Sequence, residues 1–324
     1  MSATFKVGTR GSALATTQTG WAAQKLSEIS GLGVETVLVK TEGDVVTGSL
    51  ASLGGTGVFA AALRQHLLDS GCDLAVHSLK DLPTAQPEGL VLSCIPARED
   101  VRDALCSHDG LGLDELPQGA RVGTGSPRRG AQLLAHRPDL QIVDIRGNVP
   151  TRLGRVKGIG ETLDDGSVGR GTQGDLDAVI LAAAGMRRLG LDKYITEYLD
   201  PSIMLPAPGQ GALALETRTA GSGHEALDQA LAAFDDEATR LQVVAERSLL
   251  STLEAGCAAP IGALAHLDGG ELVLEAVACN PDGSQTMRRS ARTAAAGIAS
   301  AQQLGRDLAR AMIADGAAVI AGLA

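Results

Sequence analysis

The sequence predicts an α/β protein of two similar halves followed by a smaller α+β unit, and three observations carry that expectation. Over the first two-thirds, short apolar runs alternate with helix-like stretches, the signature of βαβ units. Near residue 97 the pattern starts again. Beyond a Pro/Gly-rich segment at 204–216 it gives way to a long amphipathic helix, paired strands and an Ala-rich helix. A chain of 324 residues suits two or three such domains.

Taken in order, FKVGTR is a strand that leads through Gly11 and Ser12 into the helix ALATTQTGWAAQKLSEI. VETVLVKT is a second strand, and the polar EGDVVTGSLASLGGTG follows it. Its Gly54–Gly57 cluster lacks the GKS/T ending of a phosphate cradle, so turn or lid is the default reading. VFAAALRQHLLDS is a helix and CDLAVHS a strand, which Lys80 and Asp81 close. His77 alternates inward with Ala75, as a core histidine would. In the second half, ARVGTGS and LQIVDIR are strands that run into the helices PRRGAQLLAHR and NVPTRLGRV. The Gly-, Asp-, Thr- and Ser-rich stretch at about 158–174 has the composition of an exposed loop insertion, expected to be mobile. DLDAVILAA is a buried strand, and MLPAPGQGALALE suits a hinge or a return to the first half. EATRLQVVAERSLLSTLE is the long helix, AGCAAPIG a loop, and ALAHLDG and ELVLEAVAC are strands. PDGS is a hairpin-type turn.

Apolar residues make up 44% of the chain, enough for a sizeable core. Six aromatic residues are too few for base-stacking platforms, and a net charge of −10 argues against nucleic-acid or anionic-membrane partners. The start MSATFKVGTRGS has no apolar h-region and no apolar run approaches a membrane span, so a cytoplasmic protein is expected. With no exposed apolar stripe demanding a partner, a monomer is expected. The five cysteines are widely spaced and form no CxxC, which implies neither a disulfide framework nor a metal site.

Arg outnumbers Lys by 22 to 6 in this acidic chain, and its placement is informative. Arg10, Arg128, Arg129, Arg146 and Arg152 all fall where a strand hands over to a helix, with Ser126 at an N-cap position and Pro127 at the first helical position. In open α/β sheets, ligands bind beyond the carboxyl ends of strands, where helix N-termini favour anions. Asp81 beside Lys80 reads either as half of a surface ion pair or, facing an Arg-lined cleft, as a carboxylate that stabilises a cation or shuttles protons. Cys257, in LEAGCAAPIG, reads either as a small buried hydrophobe or as a thiol nucleophile on an open loop.

Together GTRGS, TEGD, VHSLKDLPT, ARED–RDA, GTGSPRR, RGNVPTRL, ILAAAG–RRLG, LPAPGQGALA, AERSLL and LEAGC resemble, in order and spacing over almost the whole chain, the porphobilinogen deaminase (hydroxymethylbilane synthase) family. The resemblance implies two domains like those of type II periplasmic binding proteins, residues 1–97 with 206–226 and residues 98–205, flanking a cleft. A third domain, 227–324, would carry a dipyrromethane cofactor bound through a thioether to Cys257. It implies a transferase of tetrapyrrole and heme biosynthesis that adds four porphobilinogen units to the cofactor. Ammonia is released at each addition, and hydrolysis then frees hydroxymethylbilane. Asp81 matches the catalytic carboxylate, which would hold pyrrole N–H groups and offset positive charge on nitrogen. Lys80, Asp81, Thr124, Ser126, Arg128, Arg129 and Arg146 match cofactor-contacting positions. Arg10, Ser12, Gln18, Phe59, Arg152 and the hinge residue Gln210 match substrate-binding positions. The chain departs from the family pattern at Ser52 and Thr56, where basic residues are usual, at Gly125, where a hydroxyl is lost, and in the length of the 158–174 insertion. The rival reading, a non-catalytic binding protein for small polycarboxylates on the same two-lobed fold, leaves Cys257 and the third domain without a purpose.

Overall fold

A computed structural model describes residues 3–39, 58–159, 174–256 and 259–323, the side chains of Val58 and Phe59 excepted. The first half is built on β1 (Thr4–Thr9), which pairs in parallel with β2 (Gly33–Leu38) and β3 (Leu74–Ser78). Helix α1 (Ala13–Ser30) makes the β1–β2 crossover. Its N-cap Ser12 accepts the Ala15 N–H at 3.3 Å, and Gly31 ends it at φ 71°, donating to the Ser27 carbonyl. Helix α2 (Val58–Leu68) precedes β3. One reversed strand, β10 (Leu213–Arg218), pairs antiparallel with both β3 and β4 (Leu90–Cys94), so β4 runs in the direction of β1–β3 and the order is β2-β1-β3-β10-β4.

The second half repeats the plan. Its strands are β5 (Asp103–Ser107), β6 (Arg121–Gly123), β7 (Gln141–Val143), β8 (Ala178–Ala182) and β9 (Glu197–Tyr198), in the order β7-β6-β8-β5-β9. Here β6 pairs in parallel with β7 and β8, while β5 runs antiparallel to β8. Helices α3 (Pro127–His136), α4 (Val149–Leu153) and α5 (Ala183–Arg188) each follow a strand. The chain thus crosses between halves twice, after β4 and before β10. The Pro/Gly-rich segment is both a crossing and the lead into β10, which joins the first sheet as the hinge-or-return reading requires.

Sequence reading passed over β4, β5, β9 and α6 (Glu225–Phe234). All five residues of β5 are buried, but its leading Asp hides a short apolar run. α6 carries Leu227, Ala230 and Leu231 into the first half's core with Phe5, Val7 and Leu26, so that core extends past residue 226. Trp21 on α1 meets Phe234 at the end of α6, with ring centroids 5.5 Å apart.

In the third unit β11 (Ile261–Asp268), β12 (Glu271–Cys279) and β13 (Thr286–Ala294) form an antiparallel meander. Helices α7 (Glu237–Thr252), α8 (Ile298–Ala314) and α9 (Ala317–Ile320) cover one face through Leu249, Leu308, Met312 and Ala317. The turn after Cys279 is the expected hairpin, and it packs on α3: a Cβ at Gly283, φ +74°, would stand 2.5 Å from the Ala135 nitrogen. Arg288 on β13 donates to the Pro201 and Ser202 carbonyls at 2.8 and 2.6 Å. Among the described residues no helix is long and apolar enough to cross a membrane.

Candidate active site

Both halves turn the carboxyl ends of their parallel strands toward the candidate residues. Arg10 follows β1 directly, Ser12 caps α1, and Gln18 lies buried on α1, accepting the Ser78 hydroxyl at 3.1 Å. These three residues line a pocket together with His77, Ser78 and Asp81. β3 stops at Ser78, and Leu79–Asp81 form a 3-10 turn, so Lys80 and Asp81 follow the strand rather than end it. The turn sends the two side chains apart. Asp81 is exposed to the pocket, whereas Lys80 Nζ donates to Gln210 Oε1 at 3.2 Å. His77 is 8% exposed with Nε2 3.3 Å from Glu216, which Arg64 also grips, as befits a core histidine.

From the second half, Thr124 follows β6, and its hydroxyl accepts the Ser126 N–H at 3.2 Å. Ser126 occupies the N-cap of α3 as expected, but its hydroxyl makes no capping bond. A Cβ at Gly125 would come 2.6 Å from the Ile145 carbonyl, a close approach that accounts for glycine in place of a hydroxyl residue. Arg128 and Arg129, in the first turn of α3, are buried and already hold a carboxylate. Asp103 Oδ1 takes Arg129 Nε and Nη2 at 3.0 and 2.7 Å, and Oδ2 lies 2.8 Å from Arg128 Nη2. Gln210 joins the cluster, donating to Asp103 Oδ1 at 2.9 Å. Arg146 sits beyond β7, and Arg152, on α4, donates from Nε to the Gly147 carbonyl at 2.8 Å. Asn148 caps α4 by accepting the Thr151 N–H at 2.9 Å.

The electrostatics tie the two halves together. Burial pushes the Lys80 amine down to about 8; Arg129 and Arg128 add to the shift, and Asp81 and Asp103 oppose it. Burial, then Arg129 and Arg146, lower Arg152 from its ordinary value, with Asp81 and Asp144 opposing. Burial alone would raise the Asp103 carboxyl, but Arg128, Arg129, Lys80 and the Gln210 hydrogen bond outweigh it and hold it down at about 2. The structure therefore gathers Lys80, Asp81, Arg128, Arg129, Arg146, Arg152 and Gln210 into one region, with Arg10, Ser12 and Gln18 around Asp81. Asp103 was missed as a site residue, although an acid inside an apolar strand signals a charge that needs partners. So was the pair Arg98–Glu246, whose two contacts measure 2.7 and 3.0 Å.

Cys257, Ser52, Thr56, the Gly54–Gly57 cluster and most of the 158–174 insertion lie outside the described residues, as does the side chain of Phe59. The other four cysteines are buried, which pushes the thiols of Cys72 and Cys279 up to about 11 and those of Cys94 and Cys106 to about 12. Thiols held protonated in this way are poor nucleophiles.

A polycarboxylate group fits the residues present. Guanidinium groups only donate hydrogen bonds, and the buried Nε atoms of Arg128 and Arg146 have no hydrogen-bond partner among the described residues. Two family models match the chain: "Porphobilinogen deaminase, dipyromethane cofactor binding domain" over residues 5–226 and "Porphobilinogen deaminase, C-terminal domain" over 240–314. The porphobilinogen deaminase of Micrococcus luteus is 57% identical over 304 residues, 88% of this chain and 81% of that one. That of Cutibacterium acnes is 54% identical over 330 residues, 98% of this chain and 97% of its own. Among solved structures, an ABC-transporter periplasmic substrate-binding protein from Coxiella burnetii aligns with 72% of this chain and 93% of its own, at 15% identity and a TM-score of 0.43.

Proposed function

The chain belongs to the porphobilinogen deaminase family, and from that premise we propose how its own residues carry the family's reaction on a dipyrromethane cofactor. The observation that carries the reading is Asp81, exposed in a pocket with Arg10, Ser12 and Gln18 and backed by cations from both halves. When bound, the dipyrromethane would supply the free terminal pyrrole carbon from which the chain of porphobilinogen units grows. Arg128, Arg146 and protonated Lys80 bind its carboxylates, with Arg129, Thr124 and Ser126 beside them. Arg10, Arg152 and Ser12 bind those of the incoming substrate, with Gln18 and Phe59 around it. Gln210, expected among the substrate contacts, is fully buried with its amide engaged by Asp103, Val101 and Lys80, and acts through Lys80 instead. Asp81 accepts hydrogen bonds from pyrrole N–H groups and offsets positive charge as it develops on nitrogen. The binding-module reading gives Asp81 no such work.

Cys257 is the attachment point in this proposal. The LEAGC motif supports it, as do the raised thiols of the other four cysteines. Intact-mass spectrometry tests it: wild type takes up a two-pyrrole increment, Cys257→Ser does not, and Ala at any other cysteine leaves the increment in place. An adduct that persists in Cys257→Ser overturns the assignment.

Lys80 gives this loading a pH signature. With its amine at about 8, the ammonium is present below that pH and is lost as pH rises through it. The rate of adduct formation should therefore fall between pH 7 and pH 9, and a flat profile removes Lys80 from the binding set.

We further propose a cytoplasmic monomer, for which sedimentation at 33.0 kDa is the test of the oligomeric state. For the domains we propose 98–205 as the second unit, with the first unit's returning segment extended beyond 226 to include α6.

A further inference from the structure

We propose that Asp103 is a positioning residue: a carboxylate built into the protein that holds Arg128 and Arg129 and, through Gln210, Lys80 in the arrangement the cofactor's carboxylates meet. The proposal rests on the dipyrromethane reading above and adds to it a residue that contacts neither substrate nor cofactor.

Asp103 owes its place to topology. β5 runs antiparallel to β8, with Asp103 opposite Ala182, so its first residue lies at the carboxyl end of the parallel strands. A residue that opens a strand thereby reaches the ligand-binding edge. It is fully buried, and four contacts converge on it, from Arg128, from Arg129 twice and from Gln210. Gln210 is itself fixed, donating also to the Val101 carbonyl at 2.8 Å, and its remaining oxygen receives Lys80. One carboxylate thus orients three cations that arrive from β3's turn and from α3.

Without it, Lys80, Arg128 and Arg129 would repel one another in a poorly solvated space. Arg129 spends Nε and Nη2 on Asp103 and Nη1 on the Ile180 carbonyl, so it works mainly as part of the scaffold. Arg128 gives Nη1 to the Leu205 carbonyl and is ion-paired through Nη2 with Asp103 Oδ2 at 2.8 Å, and its Nε has no hydrogen-bond partner among the described residues. The arrangement costs no reorganisation when an anion arrives, which is the benefit of preorganised donors.

The test uses the full-length protein prepared without cofactor. Two quantities are read: the rate at which porphobilinogen builds the adduct, by intact mass, and the pH midpoint of Lys80, from the pH dependence of its acetylation in peptide mass spectra. The groups facing that amine are Asp81, Asp103, Arg128 and Arg129. Asp103→Asn should lower the Lys80 midpoint by at least one pH unit and slow loading at pH 7.5 by tenfold or more, at temperatures where the variant is folded. Asp103→Glu keeps the charge and displaces it, so the midpoint should stay near that of wild type while loading slows several-fold. Should Asp103→Asn not fold, the Glu variant decides alone, and wild-type loading in it overturns the proposal. An unchanged midpoint with unchanged loading in Asp103→Asn overturns it as well. If the dipyrromethane reading itself is wrong, wild type takes up no adduct while the Lys80 midpoint still responds to Asp103→Asn.

Discussion

Asp81→Asn should lower single-turnover ammonia release from the cofactor-loaded protein by roughly 10²–10³-fold, on the order of 2.7–4 kcal/mol of barrier. The substitution keeps the size and one acceptor and removes the negative charge. On the proposed roles of Arg10 and Arg152, the substrate's carboxylates would still be met, so KM should change much less than kcat. Asp81→Glu retains the charge one methylene further out and should keep partial activity. Equal rates in all three proteins would reduce Asp81 to an ordinary exposed carboxylate.

The second large effect lies where the three units meet. Glu246 on α7 is fully buried and receives Arg98 from the first crossing, the Gly209 N–H from the second at 2.6 Å, and the Ala265 N–H from β11 at 2.9 Å. Arg98 Nε in turn donates to the Gln210 carbonyl at 2.7 Å. Glu246→Ala leaves a buried guanidinium and two backbone donors without their acceptor, and should cost about 3–5 kcal/mol of stability. The double variant Arg98→Met/Glu246→Leu should recover much of that loss, because no buried charge is then left alone. The check is a double-mutant cycle on denaturant midpoints, and single variants that unfold like wild type would show the pair to be energetically idle.

How far sequence reading reached depended on whether a feature was local. Ser12 and Pro127 mark helix starts through chemistry within a turn of themselves, and the structure has helices at each. The strand–helix junctions bearing Arg10, Arg128 and Arg146 were legible for the same reason. Asp103 and Glu246 were not, because what makes them matter is contributed by residues far along the chain: Arg129 is 26 positions from Asp103, and Arg98 is 148 from Glu246. The family motifs gave Asp81 and Lys80 their neighbourhood but not their division of labour. The 3-10 turn at Leu79–Asp81 directs one side chain to the pocket and the other to Gln210, and no periodicity in HSLKDLP announces such a turn.

The contact between Trp21 and Phe234 gives the molecule an optical label of a particular kind. Trp21 is the chain's one tryptophan, and it is 44% exposed where α1 meets α6. Its emission therefore reports on the first half alone, whereas far-UV circular dichroism sums helices from all three units. If the halves and the third unit melt together, the two signals trace one curve. If the first half opens before the others, the fluorescence transition comes earlier, and the gap between the curves measures how tightly Glu246 binds the units into a single cooperative system.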